Sequence, residues 1–244
     1  MRKKFELLMQ DLWRELERPS KDRSVLGGAV YDVRRFYPEL SQESIKTRQI
    51  LSFIQALRCS DLIGRQVQEE QLMEILSWVA GTSTSWLKDA KCQPIPAFDQ
   101  IETAPSEFQA HLHVLRDLHD FSLACFEFKR PRDNFGGRRR GIAYAILSHV
   151  GEMVDLPEVV TLARQSLKNA TSIESRYAAD FLKQYFTERD IQVDDTIIDE
   201  LLTLAGRTDS RSTVYCALDA LVVSGAISEL EAMSRMDDWK SKQR

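Results

Sequence analysis

The segment IAYAILSHV, residues Ile142–Val150, decides the fold, because its pattern returns in Tyr177–Tyr185 (YAADFLKQY) and Val214–Val222 (VYCALDALV). In each segment a small residue is followed four positions later by leucine, as Ala143 is by Leu147. Aligned on these positions, the copies lie 35 and 39 residues apart, within the period range of helical-pair repeats. Four-residue spacing places both side chains on one face of a helix. The chain is therefore predicted to contain repeated helices.

Helix start and stop signals occur in register with these segments and extend each repeat to a pair of helices. Thr171 and Glu174 form a capping box before the second copy, and Ser228 and Glu231 form one before the last helix. Gly225 follows the third copy, at a position where glycine commonly ends a helix. Each repeat is therefore predicted to consist of two helices joined by a turn.

The pattern resembles that of HEAT and armadillo repeats, which are families of stacked antiparallel helix pairs, and it covers residues 139–244. A weaker pair upstream, Arg48–Leu57 and Glu70–Ala80 stopped by Gly81, has the same two-helix shape. The resemblance implies an all-α fold, a right-handed superhelix of about 11–12 helices with essentially no β-sheet. It also implies a concave face of the kind that commonly binds another macromolecule. It is a resemblance of architecture and carries no functional residue to this chain.

We divide the sequence into an N-terminal helical region at 1–128, a basic Gly/Arg loop at 129–141 and three HEAT-like pairs at 139–244, all within one continuous domain. Helices are predicted near 3–17, 22–36, 42–58, 66–80, 106–128, 139–151, 157–169, 174–188, 195–205, 211–224 and 228–240. An irregular excursion is expected at 81–105, because this stretch contains the polar run Thr82–Ser85 and three prolines. Trp86 lies inside it and is predicted to be exposed and to contact a partner. The other tryptophans are expected in the core.

Composition limits the class of protein. Of the 244 residues, 43% are hydrophobic and 29% are charged, which is typical of an ordered globular chain. No run of 18 apolar residues predicts a transmembrane helix, and Glu6 and Asp11 interrupt the N-terminal segment where a signal peptide needs an apolar core. The four cysteines are far apart and lack metal-binding spacing. We therefore expect reduced thiols and a cytoplasmic location, without a membrane partner.

The segment Lys129–Gly141 (KRPRDNFGGRRRG) has the most unusual local charge. It carries six Lys and Arg residues and one Asp, on a chain whose net charge is −4. Its glycines would allow close approach of the backbone to a phosphate or a carboxylate. The candidate partner-binding residues of this loop are Arg130, Arg132, Phe135, Arg138, Arg139 and Arg140. The alternative is a solvated turn whose arginines pair with nearby carboxylates.

The sequence contains no complete catalytic or metal-binding set. Three histidines and two aspartates share one predicted helix: His111, His113, Asp117, His119 and Asp120. At most two of them converge, whereas a metal site needs three or four ligands, so the histidines are expected at a surface or an interface. His149 is expected to be partly buried and hydrogen-bonded. HExxH, GxGxxG and GxSxG motifs are absent, and we predict no cofactor or metal.

Two functions remain open from the sequence. The first is a non-catalytic helical-repeat scaffold, either an adaptor or an immunity-like inhibitor, which binds a protein partner through its concave face and inter-repeat loops. The second is a nucleic-acid-binding or DNA-repair protein that uses the basic loop 129–141. The acidity of the remaining chain disfavours extensive contact with a duplex, so a protein partner is preferred. A hydrolase or metal enzyme has the least support.

Overall fold

Helices make up most of the chain in the computed structural model. The structure describes residues 4–18, 24–59, 66–90, 92, 98–127, 136–169, 171–189 and 193–243. Within these ranges there is no strand, so the predicted all-α class is confirmed. The same ranges hold eleven helices longer than one turn and one single-turn helix, and the helices pack against their neighbours as in a helical repeat.

The described residues form two compact units, Met1–Cys125 and Phe126–Arg244. The helices of the first unit are α1 (Phe5–Glu17), α2 (Ser24–Val33), α3 (Tyr37–Leu40), α4 (Ser44–Cys59), α5 (Gln66–Asp89) and α6 (Ser106–Glu127). The last two residues of α6 follow the boundary at Cys125 and belong to the second unit. The first unit also has 3-10 turns at Arg34–Phe36 and Phe98–Thr103. Those of the second unit are α7 (Gly136–Gly151), α8 (Pro157–Asn169), α9 (Ser172–Arg189), α10 (Asp195–Arg207), α11 (Arg211–Val223) and α12 (Glu229–Lys242). No helix within the described ranges combines the length and the apolar character needed to cross a membrane.

Helix α5 is longer than predicted. We expected it to end at Gly81, but it continues to Asp89, so the prediction of an irregular excursion is wrong for residues 81–89. Ser83 and Leu87 are buried there, and the Ser83 hydroxyl donates a hydrogen bond to the carbonyl of Ser41 at 3.0 Å. Burial and satisfied hydroxyl groups thus outweigh the low helix propensity of the Gly-Thr-Ser run.

Helix α7 begins earlier than predicted, at Gly136, so residues 136–141 are helical and the prediction of a loop there is wrong. Its glycines serve close packing. A Cβ atom on Gly137 would collide with the Thr171 hydroxyl, and one on Gly141 would collide with the ring of Tyr177. Glycine at these two positions lets α7 approach the beginning of α9 more closely than any other residue would.

In the second unit α7, α9 and α11 lie side by side. Gly141 contacts Tyr177 near the start of α7 and α9, and Gly151 lies beside Tyr185 further along both helices. Contacts that advance in the same direction along both helices mean that α7 and α9 run parallel. Lys183 and Asp219 join α9 to α11 at 2.6 Å.

The sequence repeat corresponds to the core of this unit. The repeated small and leucine positions are all buried: Ala143, Leu147, Ala178, Leu182, Ala217 and Leu221. The predicted helix ends are also found. The Glu231 amide donates to the Ser228 hydroxyl at 3.2 Å, and Gly225 adopts a left-handed φ of 74° after α11.

Candidate protein-binding surfaces

Of the basic segment, the structure describes residues 136–141, which lie in helix α7. Arg130, Arg132 and Phe135 lie outside the described residues. Of the arginines that follow, Arg138 is exposed, whereas Arg139 is buried. A partner-binding role for this segment stays a prediction, and burial of Arg139 leaves little of its side chain within reach of a partner.

Arg140 belongs to a buried polar network that joins α7, α8 and α9. Its guanidinium donates a hydrogen bond to Glu174 at 2.8 Å. This contact agrees with the alternative in which arginines of the basic segment pair with nearby carboxylates. The other carboxylate oxygen of Glu174 accepts from the Ser166 hydroxyl at 2.9 Å. The hydroxyls of Ser166 and Tyr144 lie 2.8 Å apart, and burial raises the pKa of Tyr144. Because these polar groups satisfy one another, the network holds the three helices in one arrangement.

Trp86 is exposed, as predicted, although it lies in helix α5 and not in a loop. One face of its indole stacks on the imidazole of His111, with 4.2 Å between ring centroids and 14° between planes. His111 is buried within its unit, whereas a histidine at a surface or an interface was expected, and that burial lowers its pKa. Trp86 therefore has only part of its ring available to a partner.

The remaining histidines of α6 pair with separate carboxylates. His113 lies 3.3 Å from Glu102, and His119 lies 3.0 Å from Asp120. In the part of the chain that the structure describes, no three His, Cys, Asp or Glu side chains are grouped to hold a metal ion. His149 is partly buried and lies 3.1 Å from Glu152, which confirms its predicted environment.

The first unit exposes a cluster of one arginine and two aromatic side chains, Arg34, Tyr37 and Trp78. The Arg34 guanidinium lies 4.5 Å above the Trp78 ring, and Tyr37 meets that ring edge-on at 6.5 Å. Trp78 is exposed, so its predicted place in the core is wrong. Tryptophan, tyrosine and arginine are the residue types that dominate binding energy at protein interfaces.

The second unit has an apolar groove between α11 and α12, with a volume of about 390 Å³. It is lined by Tyr215, Leu218, Asp219, Val222, Glu229, Ala232, Met233, Met236, Asp237 and Lys240. Tyr215 and Met233 are largely exposed, and α12 contributes no buried residue to the fold. We call this the α11–α12 groove.

A second groove adjoins it between α9 and α11, with a volume of about 720 Å³. It is lined by Arg176, Tyr177, Asp180, Arg211, Ser212, Tyr215 and Cys216, and we call it the arginine groove. The Arg176 guanidinium is held 4.5 Å above the ring of Tyr177. Tyr215 lines both grooves, so the two adjoin at this side chain on α11.

The sequence did not indicate any of the residues that line these two grooves as a candidate partner-binding residue. The available signal was the repeat register itself, in which Arg176 and Tyr215 take the place of Gly141, two residues before the repeated alanine. An arginine and a tyrosine at a position that is glycine in the first copy suggest a surface that differs from one repeat to the next. Comparison of the chain with known protein families, with curated proteins and with solved structures finds no match.

Proposed function

We propose that this chain is a helical-repeat scaffold that binds a protein partner. In this proposal residues 139–244 form HEAT-like antiparallel pairs of a right-handed superhelix. The parallel order of α7 and α9 and the burial of the repeated alanines and leucines support it. In such scaffolds each repeat contacts its neighbours, and the surfaces between repeats are free to vary for binding.

One register position carries the proposal, the position two residues before the repeated alanine. In α7 it is Gly141, which contacts Tyr177 of α9. In α9 it is Arg176, which shares a groove with Arg211 of α11. In α11 it is Tyr215, whose surface is 62% exposed. The side of α11 that bears Tyr215 therefore corresponds to the side through which α7 and α9 meet the next helix.

A second register position, five residues after the repeated alanine, supports the same interpretation. In α9 it is Lys183, which pairs with Asp219 of α11. In α11 it is Val222, which lines the α11–α12 groove. A surface with the register of a helix-packing face is suited to receive another helix. Met233 and Met236 supply flexible apolar side chains that adapt to the shape of a bound partner.

The test is recovery of the tagged chain from its own cells, followed by quantification of the proteins that remain bound. We expect one protein at a stoichiometric amount. Tyr215→Asp should reduce its recovery about tenfold or more, because a buried unpaired carboxylate at an interface costs several kcal/mol. Tyr215 is mostly exposed, so the variant should keep its helical circular dichroism and its melting temperature.

The matched control is Leu230→Asp, which introduces the same charge on α12. Leu230 is 77% exposed and does not line the α11–α12 groove. Recovery of the partner should equal that of the unmodified chain. The proposed function is wrong if no stoichiometric protein is recovered, or if Tyr215→Asp and Leu230→Asp retain it equally.

A further inference from the structure

The arginine groove brings together two guanidinium groups from neighbouring helices. Arg176 comes from the second turn of α9, and Arg211 is the first residue of α11. Tyr177, Ser212 and Tyr215 place aromatic and hydroxyl groups around them. One acidic residue, Asp180, also lines the groove, so its lining residues carry a net charge of +1.

The charges along α11 and α12 are compensated unevenly. Asp219 pairs with Lys183 at 2.6 Å, and Asp237 pairs with Lys240 at 2.8 Å. Among the described residues, by contrast, no ion pair includes Arg176 or Arg211. A partner that covers these arginines would remove them from water, and a desolvated guanidinium is costly unless it is paired. Asp180 in the groove offsets one of the two positive charges, and a negative charge on the partner would offset the other.

We propose that the segment bound along α11 is an amphipathic helix that carries an anionic group, a carboxylate or a phosphate, at the end that meets Arg176 and Arg211. This inference rests on the proposed function and specifies the chemistry of the partner. The planar guanidinium fork binds both anions through paired hydrogen bonds. Arg211 and Val222 are eleven residues apart on one helix, about 16 Å at 1.5 Å per residue. A helix of about twelve residues thus spans the distance from the arginines to the apolar groove.

Two other occupants fit this surface less well. A second copy of the chain, docked through the same face, would bring the arginines of one copy toward those of the other, because a two-fold interface is self-complementary. A nucleic acid would need a longer basic track than the two arginines of this groove. An amphipathic helix with its anionic group at one end can pair with the arginines and cover the methionine-lined groove at once.

The experiment selects ligands for the whole chain from a random twelve-residue peptide display library. We expect the enriched peptides to combine an apolar helical face with Asp or Glu at one end. When the double variant Arg176→Gln/Arg211→Gln is the target protein, the enriched peptides should still have an apolar face but should lose the preference for an acidic residue at one end. Arg235→Gln is the matched control, because Arg235 is already paired with Glu231 at 2.8 Å and lines neither groove. It should retain the preference.

Synthetic versions of the most enriched peptide then separate the two anions. One version keeps the acidic residue, one replaces it with phosphoserine and one with Asn or Gln. We expect the Asn or Gln version to bind about tenfold more weakly, a difference of about 1.4 kcal/mol. The double arginine variant should bind all three versions within about twofold of one another. Whichever anion binds more tightly is the one that the two arginines prefer.

Four results overturn the inference. Apolar peptides enriched without any acidic preference would refute the anionic partner while leaving the proposed function intact. An acidic preference that persists in the double arginine variant would place the anion elsewhere. A single-stranded oligonucleotide that displaces the selected peptides and binds more tightly would favour a nucleic-acid ligand. Failure to select any peptide would contradict the inference, while recovery of a stoichiometric protein partner decides the proposed function separately.

Discussion

In each unit an arginine pairs with a buried carboxylate, and the two arrangements differ in how completely they are closed to water. In the first unit Arg58 and Glu69 lie 2.6 Å apart, with side chains 5% and 3% exposed. In the second, Arg140 and Glu174 lie 2.8 Å apart, with side chains 28% and 5% exposed. The first ion pair is isolated from solvent, whereas the second keeps its arginine in contact with water.

The side chains that surround each ion pair also differ between the two units. The Arg58 guanidinium lies 3.0 Å from the sulfur of Cys125 and 4.8 Å from the ring centroid of Phe121, in surroundings that are largely apolar. Glu174 instead shares its charge with the hydroxyl of Ser166. A buried ion that loses its partner cannot be hydrated in its place, whereas a half-solvated arginine can be. The fold of the first unit should therefore depend more strongly on its ion pair.

Glu69→Ala should have the largest effect, because it leaves the Arg58 guanidinium buried without its carboxylate. We expect the free energy of unfolding to fall by about 3–5 kcal/mol in urea titrations. Hydrogen exchange should increase in α4, α5 and α6 and remain unchanged in α7 to α11. Replacing both partners, as Arg58→Met/Glu69→Leu, should recover most of the loss, and a double variant as unstable as Glu69→Ala would refute the explanation.

Glu174→Ala should cost less, about 1–3 kcal/mol, because it leaves the Ser166 hydroxyl short of an acceptor while Arg140 turns to water. The same urea titration measures the loss, and hydrogen exchange should now increase in α7, α8 and α9. A loss equal to that of Glu69→Ala would mean that exposure of the arginine does not govern the cost of losing its partner.

A pair of glycine variants compares helix packing in the two units. Gly141→Ala places a methyl group against the Tyr177 ring, and overpacking of about 1–3 kcal/mol exceeds the gain of about 1 kcal/mol in helix propensity. Gly28→Ala, in α2, meets no atom within 4 Å and should raise stability by about 1 kcal/mol. Thermal melting measures both. An increase in melting temperature for Gly141→Ala would show that α7 and α9 can separate without cost.

The smallest effect should be a pH dependence located in the first unit. Burial lowers the pKa of His111, and a hydrogen bond with the Ser41 backbone partly opposes this. Below a pH of about 6.5, the ordinary value for histidine, the unfolded chain then binds more protons than the folded one. The free energy of unfolding should decrease as the pH falls through this value, by at most about 1.4 kcal/mol per pH unit, and stay flat above it.

His111→Phe keeps an aromatic ring beside Trp86 but cannot take up a proton. Urea titrations between pH 5 and 8 should therefore show a flatter pH dependence for His111→Phe than for the unmodified chain. An unchanged slope would assign the pH dependence to other groups.

The sequence predicted much of the second unit and less of the first. The repeated alanine and leucine positions are regular along the chain, and their burial places them in the core. The continuation of α5 through Gly81 and Thr82–Ser85 was not predictable from local propensity, because it depends on packing against residues such as Ser41, which is far away in the sequence.

The candidate surface was not predicted for a related reason. Arg176, Arg211 and Met233 come from three different helices, and their exposure depends on which neighbouring helix covers them. In the sequence Met233 is indistinguishable from a core residue of an amphipathic helix. Periodicity indicates which face of a helix is apolar, but not whether another part of the same chain covers that face.

Helix α12 contributes no buried residue and is held in part by one hydrogen bond, from the Trp239 indole to the carbonyl of Thr208 at 2.9 Å. A helix with so little burial opens at a small fraction of the free energy needed to unfold the whole unit. A ligand seated between α11 and α12 would bind the closed form alone, so occupancy would suppress this opening by mass action. Binding at this surface and the ordering of α12 are therefore thermodynamically linked, and slower exchange of the α12 amides would report occupancy of the groove.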